Sequence, residues 1–312
     1  MKFGVELEGF VYQQDCGYFR PVDVYHWLDQ DGQMHIPELG ICSTDAGINQ
    51  IEWSLDPTED LNDLENKLRV VMSLLPQEWQ VFFCGEDPHL NGVQPIWAPK
   101  SRYKALVEAL KNECPKTYYG VLRIPQYSAT HIHLELHPDS QEGLKVLNYL
   151  NNWAPLIGTL FANPLPSRRI KEAWRGWADP RRLPGPWWFN TTDELREFVV
   201  AIPKLIIDYA NGTRPYLGYT SIPDQLHEGT IWWWCRPRWT LGTVEFRVLD
   251  SMPPDRVLWA VSFILDLVEI ILNKDNLPVI HESTWWLLSS HQDIVAARQF
   301  FERYVSFLNL RR

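Results

Sequence analysis

Residues 242–250 read Gly-Thr-Val-Glu-Phe-Arg-Val-Leu-Asp. Val244, Phe246 and Val248 alternate with Thr243, Glu245 and Arg247, and successive side chains of a strand point to opposite faces, so the stretch is a strand with one apolar and one ionic side. Three other stretches share the pattern. In residues 3–8, Phe3, Val5 and Leu7 alternate with Gly4, Glu6 and Glu8; in 49–55, Ile51, Trp53 and Leu55 oppose Glu52; in 130–137, Ile132, Leu134 and Leu136 oppose His131, His133 and Glu135. If the four strands lie in one sheet, their ionic sides form a single polar trough.

Helical spacing fills the intervals. Residues 60–75 place Leu61, Leu64, Leu68, Val71 and Leu75 on one face, and 100–111 and 142–150 are shorter candidates. Thr192-Asp193-Glu194 starts a helix carrying Leu195, Phe198, Val199, Ile202, Leu205, Ile206 and Tyr209, which stops at Asn211-Gly212. Residues 255–273 and 290–308 complete the set. Strands and helices mixed without a βαβ rhythm indicate an α+β fold, a mainly antiparallel sheet covered by helices on one face. There is no internal repeat, and 1–312 is expected to be one domain. The Pro- and Trp-rich run at 163–189 is expected to be a long functional loop.

Composition narrows the function classes. The chain has 312 residues, a formal charge of −10, and 16 Trp, 13 Phe and 12 Tyr, which is a folded acidic protein rather than a disordered one. Such a charge repels nucleic-acid backbones. Five scattered cysteines, Cys16, Cys42, Cys84, Cys114 and Cys235, form no C-x-x-C pair and read as reduced thiols of a cytoplasmic protein. Glu6 and Glu8 stand where a signal peptide would be cationic and then apolar, and Asp266 and Glu269 interrupt the most apolar run, so neither export nor a membrane span is expected.

Chemistry is concentrated on the ionic faces. A solvated sheet face would carry Lys, Thr, Ser and Gln; Glu6, Glu8, Glu52, His131, His133, Glu135, Glu245 and Arg247 instead crowd like charges that need cations between them. Oxygen-rich sets of this kind suit Mg²⁺ or Mn²⁺. His131, His133 and Glu135 taken alone also fit a zinc site activating water, or a structural hydrogen bond. A second cluster is basic: Arg168, Arg169, Lys171, Arg175, Arg181 and Arg182 face only Glu172 and Asp179, and Arg236 and Arg238 precede the Glu245 strand. Guanidinium forks grip phosphate and carboxylate, though a charged solvated loop reads the same way. Neither a Walker loop nor G-x-G-x-x-G occurs, so any nucleotide must be held by metals and arginines. The G-x-S-x-G elbow is absent too, which disfavours a serine hydrolase. Trp187-Trp188 and Trp232-Trp233-Trp234 are read as core before adenine platforms.

Gly4-Val5-Glu6-Leu7-Glu8, residues 45–52, Thr130-His131-Ile132-His133, and Trp233-Trp234-Cys235-Arg236-Pro237 followed by 242–250 together resemble the glutamate–cysteine ligase-like carboxylate–amine ligases. The resemblance spans residues 4 to 250 in the family's order. It implies a glutamine synthetase-like fold, a curved antiparallel funnel with ATP at one end and the amino acid at the other. It implies an ATP-dependent ligase that activates glutamate or a related amino acid as an acyl phosphate and joins it to an amine. Mg²⁺ or Mn²⁺ would be held by Glu6, Glu8, Glu52, His131 and Glu245. Arg247 would touch the γ-phosphate, Arg236 and Arg168 would steady a phosphate or carboxylate, and Asp45 would contact substrate or metal. Small amino-acid or amine substrates are the implied partners; the acceptor amine and the oligomeric state are left open. Leu134-Glu135 departs from the family pattern, which points to a changed acceptor pocket. The two competing readings are the zinc enzyme and a non-catalytic nucleotide-binding member.

Overall fold

The computed structural model describes residues 1–15, 17–28, 32–89, 95–100, 103, 104, 107, 124–161, 181, 183–202, 206–209, 212–215, 231–291 and 299. Its centre is a nine-stranded sheet. The strands are β1 (Phe3–Asp15), β2 (Tyr18–Pro21), β3 (Gln33–Ile36), β4 (Gly40–Ser43), β5 (Gln50–Thr58), β6 (Trp79–Phe82), β7 (Ala129–Leu134), β10 (Cys235–Arg238) and β11 (Thr243–Asp250); β8 (Ile206–Tyr209) and β9 (Gly212–Pro215) form a separate hairpin. The order is β10-β11-β7-β1-β5-β4-β3, with β2 and β6 also on β1, and every described pairing is antiparallel. The four alternating stretches thus become adjacent strands, β11, β7, β1 and β5.

Register turns the alternation into two faces. Cys235, Phe246, Ile132, Val5 and Leu55 follow one another across β10, β11, β7, β1 and β5, and all are buried. Each such side chain contributes about 1.5–3 kcal/mol by leaving water. Helices cover this face: α2 (Leu61–Ser73), α3 (Gln141–Phe161), α5 (Pro254–Asn273) and α6 (Glu282–His291), while α1 (Val24–Trp27) and α4 (Thr192–Val200) lie beside them in the chain order. α3 packs on β10 and β11 and also meets α5 and α6; α2 packs on β5 and α5. Gly40, at φ 130°, begins β4 where a Cβ would lie 2.1 Å from the Ser54 carbonyl oxygen, so only glycine fits.

α3 is buried almost all round, so its polar residues must find partners inside. Asn148 brackets Phe189, giving Nδ2 to its carbonyl at 2.7 Å and taking its N–H at 3.1 Å. Asn152 does the same to Ile280, at 3.0 and 2.7 Å.

The fold corrects several sequence expectations. The helix expected from Thr192 to Tyr209 stops at Val200, and Ile206–Tyr209 is a strand. Its N-cap is Thr191, whose hydroxyl accepts the Glu194 N–H at 3.1 Å while the Glu194 carboxylate takes the Asn190 N–H at 2.7 Å. The strand expected over 130–137 ends at Leu134. The helix at 142–150 continues to Phe161 through Pro155. Most of the segments expected as helices at 100–111 and 290–308, and most of the 163–189 loop with Arg168, Arg169, Lys171 and Arg175, lie outside the described residues. Among the described residues no helix is long and apolar enough to cross a membrane.

Candidate active site

Glu6 and Glu8 leave the same face of β1 because they are two residues apart. Register then sets their neighbours: Glu6 opposite His131, Glu8 opposite Glu52, and Glu245 between His133 and Arg236. Five strands, β10, β11, β7, β1 and β5, thereby bring carboxylates, imidazoles and guanidiniums from distant parts of the chain onto one surface.

At one end of the trough stands Glu245, fully buried. Its Oε2 accepts from Arg236 Nε at 2.7 Å and Arg238 Nη1 at 2.8 Å; Oε1 lies 3.2 Å from Arg236 Nη2 and 3.2 Å from Arg247 Nη1. Burial pushes the Glu245 carboxyl up, but the charges of Arg236, Arg247, His133 and Arg238 outweigh it and hold it well below the usual carboxylate range. The arginines feel the crowding in return: burial, then the Arg247 charge, bring Arg236 down to about 10.

Two histidines join this end to Glu6. His133 Nε2 is 3.1 Å from Glu6 Oε1 and its Nδ1 is 3.3 Å from the Thr243 hydroxyl. His131 Nδ1 is 2.7 Å from Glu6 Oε2, which assigns the ring proton to Nδ1 and leaves the lone pair on Nε2. That Nε2 is buried without a hydrogen-bond partner, 3.6 Å from Glu8 Oε1. Burial and then the Arg247 charge bring His131 down to about 4, against the pull of Glu6, so the ring is neutral at pH 7. Burial raises the Glu6 carboxyl, yet the charge of His133 and hydrogen bonds from both histidines keep it well below its ordinary value.

At the other end Glu8, Asp45 and Glu52 converge. Neutral donors reach each of them: the Ala129 N–H to Glu8 at 2.6 Å, the Tyr103 hydroxyl to Asp45 at 2.8 Å and the Ser54 hydroxyl to Glu52 at 3.1 Å. Two groups offer ligand atoms within 4.8 Å of one another, Glu6 with His133 and Glu245, and Glu8 with Asp45 and Glu52. Oxygen-dominated sets with a buried, unpartnered imidazole nitrogen between them fit a hard divalent cation.

Glu6, Glu8, Glu52, His131, Glu245, Arg236, Arg247 and Asp45 are therefore brought together, and Arg168 lies outside the described residues. Arg236 is turned onto Glu245 and the Ile231 carbonyl, 2.9 Å away. Glu135 leaves the group: beyond the end of β7 it is exposed and meets the Lys2 N–H at 3.3 Å, so the His131/His133/Glu135 zinc site lacks its third ligand. Sequence reasoning gave His133 only the zinc and structural readings, and it placed Arg238 beside Arg236 in the basic cluster without pairing it with Glu245. It also missed Tyr103, for which no local pattern exists.

The family model for glutamate-cysteine ligase family 2 (GCS2) matches residues 2–299. No curated protein sequence matches the chain. Among solved structures, a bifunctional glutathione synthetase from Pasteurella multocida is similar over 99% of this chain and 46% of its own, with TM-score 0.58 and 16% identity. A glutamate–cysteine ligase from Francisella tularensis in complex with AMP is similar over 96% of this chain and 71% of its own, with TM-score 0.52 and 13% identity. At these identities the likeness speaks to the fold, and the chain spans about half the length of the bifunctional enzyme, 46%. With the model match running over residues 2–299 and the motif strands side by side in one open antiparallel sheet, the chain belongs to glutamate-cysteine ligase family 2.

Proposed function

We propose that residues 1–312 form one catalytic domain of an ATP-dependent carbon–nitrogen ligase, joining an amino-acid carboxylate, glutamate or a close relative, to an amine. The observation that carries this reading is the trough itself, where four carboxylates of one sheet face and Asp45 from the β4–β5 connection meet two histidines and three buried or part-buried arginines. The reaction needs positioning and charge neutralisation more than a protein nucleophile.

Glu6 and Glu245 with the histidines, and Glu8, Asp45 and Glu52, would hold two divalent cations, Mg²⁺ or Mn²⁺. Bound there, such ions neutralise the ATP phosphates and polarise the γ-phosphoryl group. Arg247, the least buried of the three arginines on Glu245, is the one available to a γ-phosphate oxygen. Arg236 and Arg238 keep Glu245 ionised and oriented. His131 would offer the lone pair of its neutral ring through Nε2 and takes no part as an acid at pH 7. The substrate carboxylate oxygen bonds to the γ-phosphorus and ADP departs. An amine then attacks the acyl carbon, the phosphate leaves and the amine loses a proton.

Incubation with ATP, Mg²⁺, glutamate and a panel of amines should release ADP and phosphate in step with an amide product seen by mass spectrometry. Glutamate labelled with ¹⁸O in its carboxylates should pass one ¹⁸O to phosphate. Amide formation without that transfer rejects the acyl phosphate, and nucleotide binding without turnover for any amine rejects the ligase.

A further inference from the structure

We propose that Tyr103 is a positioning residue for Asp45, and that its hydroxyl sets the metal affinity of the Glu8/Asp45/Glu52 end of the trough. The inference rests on the metal reading above and extends it to a residue outside every motif strand.

Asp45 sits in the connection between β4 and β5, so the sheet ladder does not fix its side chain. A distant segment does. The Ile48 N–H donates to the Ile96 carbonyl at 2.9 Å, the Ala98 N–H donates to the Ala46 carbonyl at 2.8 Å, and Gly47 and Trp97 form an antiparallel bridge between them. Lys100, buried, carries its ammonium onto the Thr44 carbonyl. The Tyr103 N–H donates to the Lys100 carbonyl at 3.0 Å, and the Tyr103 ring lies 5.8 Å from the Trp97 ring. Tyr103 is 7% exposed, and its hydroxyl donates to Asp45 Oδ1 at 2.8 Å. Residues 44–48 are thus held by residues 96–100 and 103 through backbone pairing, an ammonium and a phenol. Of these three, the phenol is the one that reaches the carboxylate.

The hydrogen bond occupies Oδ1 and fixes the rotamer that presents the carboxylate to Glu8 and Glu52. Neutral donors that orient metal-ligating carboxylates typically change metal affinity about 10- to 100-fold when removed. Tyr103→Phe keeps the ring that meets Trp97 and removes the hydroxyl that reaches Asp45.

The test is Mn²⁺ binding to the full chain without nucleotide, counted by the electron paramagnetic resonance of free Mn²⁺. Parent protein, Tyr103→Phe, Asp45→Asn and the double variant are compared, with thermal midpoints measured in chelator. Tyr103→Phe should weaken one Mn²⁺ site about tenfold or more at an unchanged midpoint, and it should add nothing in the Asp45→Asn background. Equal binding by Tyr103→Phe and the parent overturns the inference, as does an equal loss in both backgrounds. If the parent takes up no Mn²⁺, the metal reading itself falls; if Tyr103→Phe lowers the midpoint and the loss persists beside Asp45→Asn, Tyr103 is structural only.

Discussion

The two ends of the trough are built from the same residue type under opposite electrical conditions. At Glu245 the protein supplies its own counter-charge, with three guanidiniums on one buried carboxylate. At Glu8, Asp45 and Glu52, three carboxylates converge with neutral donors from a backbone amide, a phenol and a hydroxyl. On folding, the first end gathers guanidiniums round one carboxylate, whereas the second gathers carboxylates round one another, a set that a divalent cation would draw together. One sheet face can therefore hold an arginine-clamped carboxylate and a carboxylate cluster a few residue pairs apart.

The sharpest way to break this contrast is Glu245→Gln. It keeps shape and removes the charge, leaving Arg236, Arg238 and Arg247 clustered without their partner; breaking a buried pair in this way costs about 3–5 kcal/mol. Urea unfolding in chelator should show that loss for Glu245→Gln and a far smaller one, or a gain, for Glu52→Gln. Similar losses at both positions erase the contrast.

Acid is the next probe. Because His131 is brought down to about 4, the unfolded chain binds its proton first as pH falls below the ordinary histidine value of about 6.5. The folded state is then penalised: stability is fully present above pH 6.5 and drains away between 6.5 and about 4, by on the order of 3 kcal/mol. Glu6 and Glu245, held low, extend the loss to lower pH as they are finally protonated. Unfolding free energies from pH 7 to 5 should show the slope, and His131→Gln should flatten it; an unchanged slope in that variant assigns it elsewhere.

A smaller effect belongs to the Glu8/Asp45/Glu52 end. At a hundred times its Kd, a cation that binds only the folded state adds about 2.7 kcal/mol. Mn²⁺ should raise the thermal midpoint of the parent and raise that of Glu52→Gln less. Equal shifts would place the responsive site away from Glu52.

The smallest is a control on the surface. Arg196 grips Asp139 through Nε at 2.7 Å and through Nη2, but both side chains are partly solvated. Exposed pairs of this kind are worth about 0.2–1 kcal/mol, so Arg196→Ala should cost no more than that in the same urea assay. A loss matching Glu245→Gln would show that burial is not what distinguishes the Glu245 cluster.

Much of the sheet was legible because its signal is local. Period-2 alternation is a property of six to nine consecutive residues, and register then brought Glu6, Glu8, Glu52, His131 and Glu245 to one face without further information. Glu135 was misplaced because the end of β7 depends on what lies opposite: its N–H pairs with the Lys2 carbonyl, beyond the ladder, and alternation cannot see where a partner strand begins. The segment after Val200 misled for another reason. Ile202, Leu205, Ile206 and Tyr209 keep a helical spacing that a short hairpin strand tolerates equally well. Tyr103 reaches Asp45 across 58 positions, a contact no window along the chain contains.

β1, finally, is 13 residues long and is the shared spine of β5, β7, β2 and β6. It precedes the other strands of this sheet in the chain, and the partner that completes its trough edge, β7, begins at Ala129. Until then its apolar side, Phe3 to Leu7, has no opposite neighbour on that edge, and β7 must itself wait for β11 at residue 243. Pairings so far apart in the chain close slowly. The strand at the centre of the trough is thus also one whose edge waits for a late partner during synthesis, so folding yield is expected to depend on how well β1 is shielded while the chain grows.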